Sequence, residues 1–162
     1  MIIIHTPPDG EEQQYDAEAL RVSEISIAQR TTDRTWGALK ASLYEDDPEA
    51  MRVVVWLLRK RTEPSLRYGD FDPVAKELVA RMDRDEITAY VTASVEQVRR
   101  EAPEVTGALL AVALREVPQM AADPEHARTL VDQLTAEDDE GKEPGTDAGP
   151  GPVAEDESPT PT

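Results

Sequence analysis

Apolar and polar positions change rhythm several times along the chain, and each change marks an element. Ile2-Ile3-Ile4 followed by Pro7-Pro8-Asp9-Gly10 reads as a short strand and a tight turn, with Gly10 expected to supply a positive φ. A partner strand is expected near Gln13 to Tyr15 or at Leu20-Arg21-Val22. A lone two-stranded ribbon is marginal in water, so it must pack on helices. Ser23 or Ser26 is expected to cap a short helix that stops before Thr31-Thr32-Asp33. Asp33 then caps a second helix, with Trp36, Leu39, Ala41 and Leu43 as its inner face.

The next helix is the best marked. Asp47 is a good N-cap, Pro48 suits the first helical position, where no amide donor is needed, and Arg59-Lys60-Arg61 sit at the negative end of the helix dipole. The run Val53-Val54-Val55 would also suit a strand, because periodicity alone does not assign a short apolar stretch. The start and stop signals decide for a buried helix over Val53 to Leu58. Thr62 to Pro73 reads as a loop holding Tyr68 and Phe71.

Asp72-Pro73 repeats the capping signal and predicts a helix with Val74, Leu78, Val79 and Met82 at helical spacing. Ile87, Tyr90, Val91, Val95 and Val98 continue that spacing to Arg100. Pro103 separates this from Val105 to Val117, where Leu109, Leu110, Val112 and Leu114 form an apolar face and Pro118 ends the helix. Asp123-Pro124 opens a last helix with Leu130, Val131 and Leu134. The Asp-Pro start is a shared capping device, without a fixed-period repeat.

Composition changes the picture at the C-terminus. Residues 135–162 carry nine acidic residues against one lysine, five prolines and four glycines, and Val153 is their only large aliphatic side chain. Such a stretch buries too little apolar surface to offset its ordering entropy, so it is expected to be a disordered Pro/Gly/acidic tail. It holds −8 of the formal −17, which leaves −9 on the rest. The expected fold is mainly α: a small N-terminal β-hairpin followed by a helical bundle, with a disordered acidic C-terminal tail. Within a mostly helical domain at 1–134, residues 1–30 hold the hairpin and first short helix, 34–62 the core helices and 73–134 the C-terminal helices.

Acidic balance argues against nucleic acid, since a polyanion needs a basic patch that releases its counterions. The basic clusters Arg59-Lys60-Arg61 and Arg99-Arg100 are better read as helix-end charge. The apolar run Val53 to Leu58 is far below the ~20 residues of a membrane span, so no membrane association is expected. Met1-Ile2-Ile3-Ile4 lacks the basic flank of a targeting segment. The chain has no cysteine, which excludes disulfides and thiolate metal sites.

Asp70 with Asp72, Asp83 with Asp85, and Glu45-Asp46-Asp47 are the carboxylate clusters to weigh as metal or acid–base sites. Their spacing matches no calcium loop, and solvated helix starts account for them better. His5 and His126 stand outside any metalloprotease pattern and are expected at the surface. Gly141-Lys142 lacks the upstream glycine of a phosphate-binding loop, and no G-x-S-x-G elbow is present. Neither an enzyme nor a cofactor is expected.

The order of the remaining pieces is more telling. A short Ile-rich start and Pro8-Asp9-Gly10 are followed by Leu20-Arg21-Val22-Ser23-Glu24 and Thr35-Trp36-Gly37. Val55-Trp56-Leu57-Leu58-Arg59-Lys60-Arg61 and Glu63-Pro64-Ser65-Leu66-Arg67-Tyr68 complete the series. This order resembles the tail assembly chaperones of long-tailed bacteriophages, in particular those of phages with GC-rich actinobacterial hosts. The likeness covers roughly residues 1 to 75. The absence of asparagine, with four lysines against thirteen arginines, fits a GC-rich gene.

The resemblance implies a non-catalytic protein of the host cytoplasm, absent from the mature virion. Its implied partners are the tape measure protein and the major tail tube protein, with self-association as a further expectation. A permanent structural or head–tail connector protein is the alternative. Candidate partner-binding residues are Trp36, Trp56, Arg59, Arg61, Arg67 and Tyr68, although both tryptophans serve more readily as core side chains. The family often makes a longer product by ribosomal frameshifting. Glu140-Gly141-Lys142 can be encoded as GAG-GGA-AAG, which makes Gly141 and Lys142 the candidate frameshift position.

Overall fold

A computed structural model describes residues 1–136. The acidic tail and the Gly141-Lys142 pair therefore lie outside the described residues. The molecule is mainly α, with a small antiparallel sheet at its N-terminal end.

The Ile-rich start forms β1 (Ile2–His5), the middle strand of three. β2 (Gln13–Asp16) lies on one side with Ile3 opposite Tyr15, which settles the partner strand in favour of the first of the two expected segments. The turn between them closes through the Gly10 amide, which donates to the Pro7 carbonyl at 3.3 Å. No glycine among the described residues has positive φ. Gly10 is required there for a different reason: a Cβ would stand 2.7 Å from Pro7 Cγ.

The third strand corrects a helix expectation. Residues 73–82 form no α-helix; Ala75–Glu77 make one 3-10 turn and Leu78–Arg81 form β3, antiparallel to β1 with Ala80 opposite Ile3. The free edge of β1 offers backbone partners that a four-residue apolar segment can take as a strand, and this long-range pairing overrides its helical spacing. β1 thereby gains the support that a two-stranded ribbon lacks. Ile3, His5 and Leu78 are buried on the sheet face turned to the helices.

α1 (Val22–Thr32) starts at Arg21, whose amide donates to the Glu24 carboxylate at 2.7 Å. Neither Ser23 nor Ser26 caps it, and Ser26 Oγ instead donates to the Val22 carbonyl inside the helix. The helix also runs through Thr31 and Thr32, to Asp33. Asp33 is left-handed with φ 54°, the end of α1 and not the start of α2. α2 (Trp36–Leu43) is capped by Thr35, whose hydroxyl accepts from the Ala38 amide at 3.2 Å. Leu39, Ser42 and Leu43 face inward while Ala41 is exposed, so the expected inner face is rotated by one residue.

α3 (Pro48–Arg59) forms as its signals indicate. Asp47 accepts from the amides of Glu49 and Ala50 at 2.9 and 3.2 Å, and Val53 to Leu57 are all buried, while Leu58, expected buried with them, is half-buried at the helix end. Around it gather Met1, Ile3, Ala28, Leu39, Leu43, Phe71 and Leu78 in a first core.

α4 (Arg84–Glu101) begins eleven residues later than the Asp72-Pro73 signal suggests. Asp83 and Glu86 form its capping box, each side chain accepting the other's amide. α5 (Gly107–Ala113) is capped by Thr106 and buries Leu110, and Leu114 is buried just beyond it. Leu109 and Val112 point outward at 60% and 61% exposure, so the expected four-residue apolar face is split. Pro118 does not terminate a helix; it sits in the first turn of α6 (Val117–Met120), where a missing amide is harmless. α7 (Pro124–Ala136) starts from Asp123 as expected and extends two residues past 134, burying Thr135. Ile87, Val91, Val95, Leu110, Val117, Ala127 and Val131 make the second core.

Candidate functional site

The residues singled out for partner binding lie mostly in one neighbourhood, the outer face of α3 and the loop over it. Their roles there are largely internal. Arg52, Trp56 and Lys60 repeat at a spacing of four, which places them on one stripe of the helix. Each reaches a carbonyl of the 62–71 loop: Arg52 donates to Phe71 at 2.7 Å and Tyr68 at 3.0 Å, Trp56 Nε1 to Leu66 at 3.1 Å, and Lys60 to Pro64 and Leu66 at 3.0 and 3.1 Å. Apart from one 3-10 turn at Tyr68–Asp70 the loop has no regular ladder to serve its carbonyls, and this stripe supplies donors to them.

Ring contacts reinforce the stapling. The Arg52 guanidinium lies 4.3 Å from the Tyr68 ring centre, Arg59 lies 5.1 Å from Phe71, and Trp56 meets Tyr68 edge-on at 5.1 Å. Trp56 is only 7% exposed, so it offers a partner almost no surface. Arg59 pairs with Glu63 at 2.7 Å. Arg61 forks onto both oxygens of Glu24 at 2.9 and 2.6 Å and reaches the Ala19 carbonyl at 2.8 Å, tying the start of α1 to the end of α3. Its hydrogen bonds hold the Glu24 carboxyl below the usual carboxylate range. Tyr68 is half-buried, its hydroxyl enclosed without a partner among the described residues, and burial raises its pKa. Trp36 packs half-buried on the first core. Arg67, exposed like Arg61, is the one arginine of the six whose guanidinium has no partner among the described residues.

His5 corrects the surface expectation for that residue. It is 5% exposed, edge-on to Phe71 at 5.5 Å, and its Nδ1 has no partner among the described residues. Burial, then the Arg59 charge, push its pKa below the ordinary value. His126 is half-buried, its Nε2 3.2 Å from the Thr88 hydroxyl. Asp47 pairs with Arg34 at 2.8 Å. Among the described residues no group of three or more His, Asp or Glu side chains is placed to hold a metal ion, and no helix is long and apolar enough to cross a membrane.

The seam between the two cores has no local signal in the sequence. Glu86, at the start of α4, accepts from the Asp83 amide at 3.0 Å, the Met1 ammonium at 2.7 Å and the Tyr44 hydroxyl at 2.7 Å. Asp83 also binds the Met1 ammonium, at 2.5 Å. Burial works against the charge on that ammonium, and the two carboxylates more than offset it, so its pKa is raised. The hydrogen bond to Glu86 keeps the Tyr44 phenol protonated, pushed up to about 12. A parallel bridge joins Met82 to Ala121 nearby, with Met82 N donating to Met120 O at 2.8 Å and Ala122 N to Met82 O at 2.9 Å.

Beside these bonds opens a pocket of about 230 Å³ lined by Met1, Leu43, Tyr44, Met82 and Met120. No local signal could announce it, because its residues come from four segments up to 119 positions apart. Comparison with protein families, curated proteins and solved structures found no match.

Proposed function

We propose that the chain is a phage tail assembly chaperone that binds the tape measure protein and helps recruit tail tube subunits, with no chemistry of its own. One observation carries the reading. The scattered pieces that resemble the family, from the Ile-rich start to Tyr68, converge on α3: Ile3, Leu20 and the Val53 to Leu57 run share one core, with Trp36, Leu66 and Tyr68 packed on it. The segments that carry the likeness thus belong to one folding unit, which supports the reading.

Two further features support the reading. The described residues carry a net −9, which keeps a carrier and its bound client in solution. Tyr44, Leu109 and Val112 present large apolar groups at the surface, the kind of contact that holds amphipathic helices. The protein then acts in the host cytoplasm and is left behind when the particle is complete.

Co-expression with the tape measure protein, followed by capture and mass spectrometry of purified virions, tests this. Capture together with absence from virions is the expected result. Stoichiometric presence in virions would instead identify a permanent head–tail connector. Expression of the gene with its downstream sequence should also yield a minor longer product, abolished by synonymous recoding of Gly141 and Lys142.

A further inference from the structure

The nitrogen of Met1 bridges the two cores. Met1 is buried in the first, and its ammonium lies 2.5 Å from Asp83 and 2.7 Å from Glu86, which open the helix that carries Ile87, Val91 and Val95 of the second. Its chain neighbours hold it in place. The Met1 carbonyl accepts from the Ala17 amide at 3.0 Å, and Ile2 pairs with Asp16 on one side and Arg81 on the other. The amine is thus fixed at the end of β1, while Asp83 lies 82 positions further along the chain.

Both carboxylates need this nitrogen as a cation. An ammonium offers three donors and a positive charge, whereas an acylated nitrogen is an amide with one donor and no charge. Its added carbonyl oxygen would also stand against the oxygens of Asp83 and Glu86, which are already within 2.7 Å of the nitrogen. The two carboxylates would then keep their charges side by side, partly buried, with the cation between them gone, and a charge pair that loses one partner leaves the other uncompensated. Loss of Met1 gives no substitute, because the Ile2 nitrogen is held in the strand ladder, one residue or about 3.8 Å along the chain.

We propose that the Met1 α-amino group is an acylation-sensitive lock between the two halves. Free, it closes the seam; carrying a formyl group, an acetyl group or a further residue, it leaves the seam open. A chain started on formylmethionine reaches the closed form only through hydrolysis. Water adds to the formyl carbon, the carbon–nitrogen bond breaks, formate leaves with the water oxygen, and both water protons end on the nitrogen. Synthesis sets the order, since the amine is made 82 residues before Asp83. Hydrolysis therefore works on an open N-terminus, and α4 docks on its product. That the chain starts on formylmethionine rests on the bacterial host of the chaperone reading; the lock itself does not.

The test compares the full chain with a free amine against the same chain with Nα-formyl, made under deformylase inhibition, each identified by its intact mass. Urea unfolding is followed by tryptophan fluorescence, which reports the first half because Trp36 and Trp56 both pack there, and by amide NMR signals of α5 and α7. The free-amine chain should lose both signals together, and the formyl chain should lose those of α5 and α7 first, at lower urea. Coincident transitions with unchanged midpoints in the formyl chain would overturn the lock. Acetylation of the folded free-amine chain near pH 7 decides the matter even where the formyl chain does not fold. An accessible α-amine, with a pKa near 8 against about 10.4 for lysine, reacts first. Here Met1 should react at least about tenfold more slowly than the exposed Lys76, and ahead of it once urea has unfolded the chain. Asp83→Asn/Glu86→Gln, which keeps a capping side chain at the start of α4, should restore fast reaction in the folded state. Met1 reacting ahead of Lys76 in the folded wild type, or equally slowly in that variant, would overturn the proposal. These readouts use the purified chain alone, so failure of the lock and failure of tape measure capture are told apart.

Discussion

The two cores are built to different standards. Around α3, helix and loop side chains interlock: Trp56, Tyr68 and Phe71 fill the space, and Arg52, Trp56 and Lys60 satisfy the loop carbonyls above them. The core of α4 to α7 contains no aromatic side chain, is made of Val, Leu, Ile and Ala, and leaves Tyr90, Leu109 and Val112 outside. Burial energy scales with the apolar area removed from water, and aromatic groups remove the most. The first half is thus the rigid platform and the second the softer one, free to adjust its exposed apolar face.

The largest expected effect is in the platform. Trp56→Ala should cost about 3–5 kcal/mol, the range for truncating a buried large aromatic, and its lost indole donor also strands the Leu66 carbonyl. Urea unfolding measures this, and a loss below about 1 kcal/mol would mean that α3 is not the centre of the fold.

Glu86→Ala addresses the seam and comes next. It removes the acceptor shared by the Met1 ammonium, Tyr44 and the Asp83 amide, for an expected loss of about 1–3 kcal/mol. More telling than the size is the shape of the transition. Wild type should unfold in one step and the variant in two, the α4 to α7 half first; a single unchanged transition would show that Glu86 does not couple the halves.

A smaller effect depends on pH. His5 has a depressed pKa in the folded state, so the unfolded chain binds the proton more readily. The stability it contributes is complete above its ordinary value near 6.5 and is lost as pH falls from there toward the folded value. Urea midpoints should therefore drop between pH 7.5 and 5, and His5→Phe should flatten that slope; an unchanged slope would reject His5 as its source. Glu24, Asp47 and Asp83 act lower still. Their pKa values are depressed, so their contribution is present above about pH 4 and disappears only in stronger acid.

Legibility divided along physical lines. α3 and α7 were readable because an Asp-Pro start is local chemistry, complete within three residues. β3 was not, because Leu78–Arg81 becomes a strand only by pairing with β1, whose residues lie more than 70 positions earlier. The same Asp-Pro signal at Asp72 failed because Pro73 leads into that strand. Capping chemistry permits a helix and does not compel one. Most of the candidate contact residues fall around α3, and their internal bonds to loop carbonyls could not be read without the loop's path. The methionine seam had no sequence signature at all.

The smallest expected effect is on the outer face of α5. Leu109→Ser and Val112→Ser should each change stability by no more than about 0.5 kcal/mol, since both side chains are mostly solvent-exposed. Larger losses in thermal unfolding would mean that this face is buried against something, and that the second half is not free to adjust.

Native-state hydrogen exchange tests the asymmetry most directly. Amides of Val53 to Leu58 should exchange only through global unfolding, while those of Leu110 to Leu114 and of the second half of α7 should open at lower free energy. Equal protection across α3, α5 and α7 would contradict the account and make the molecule one uniformly cooperative unit.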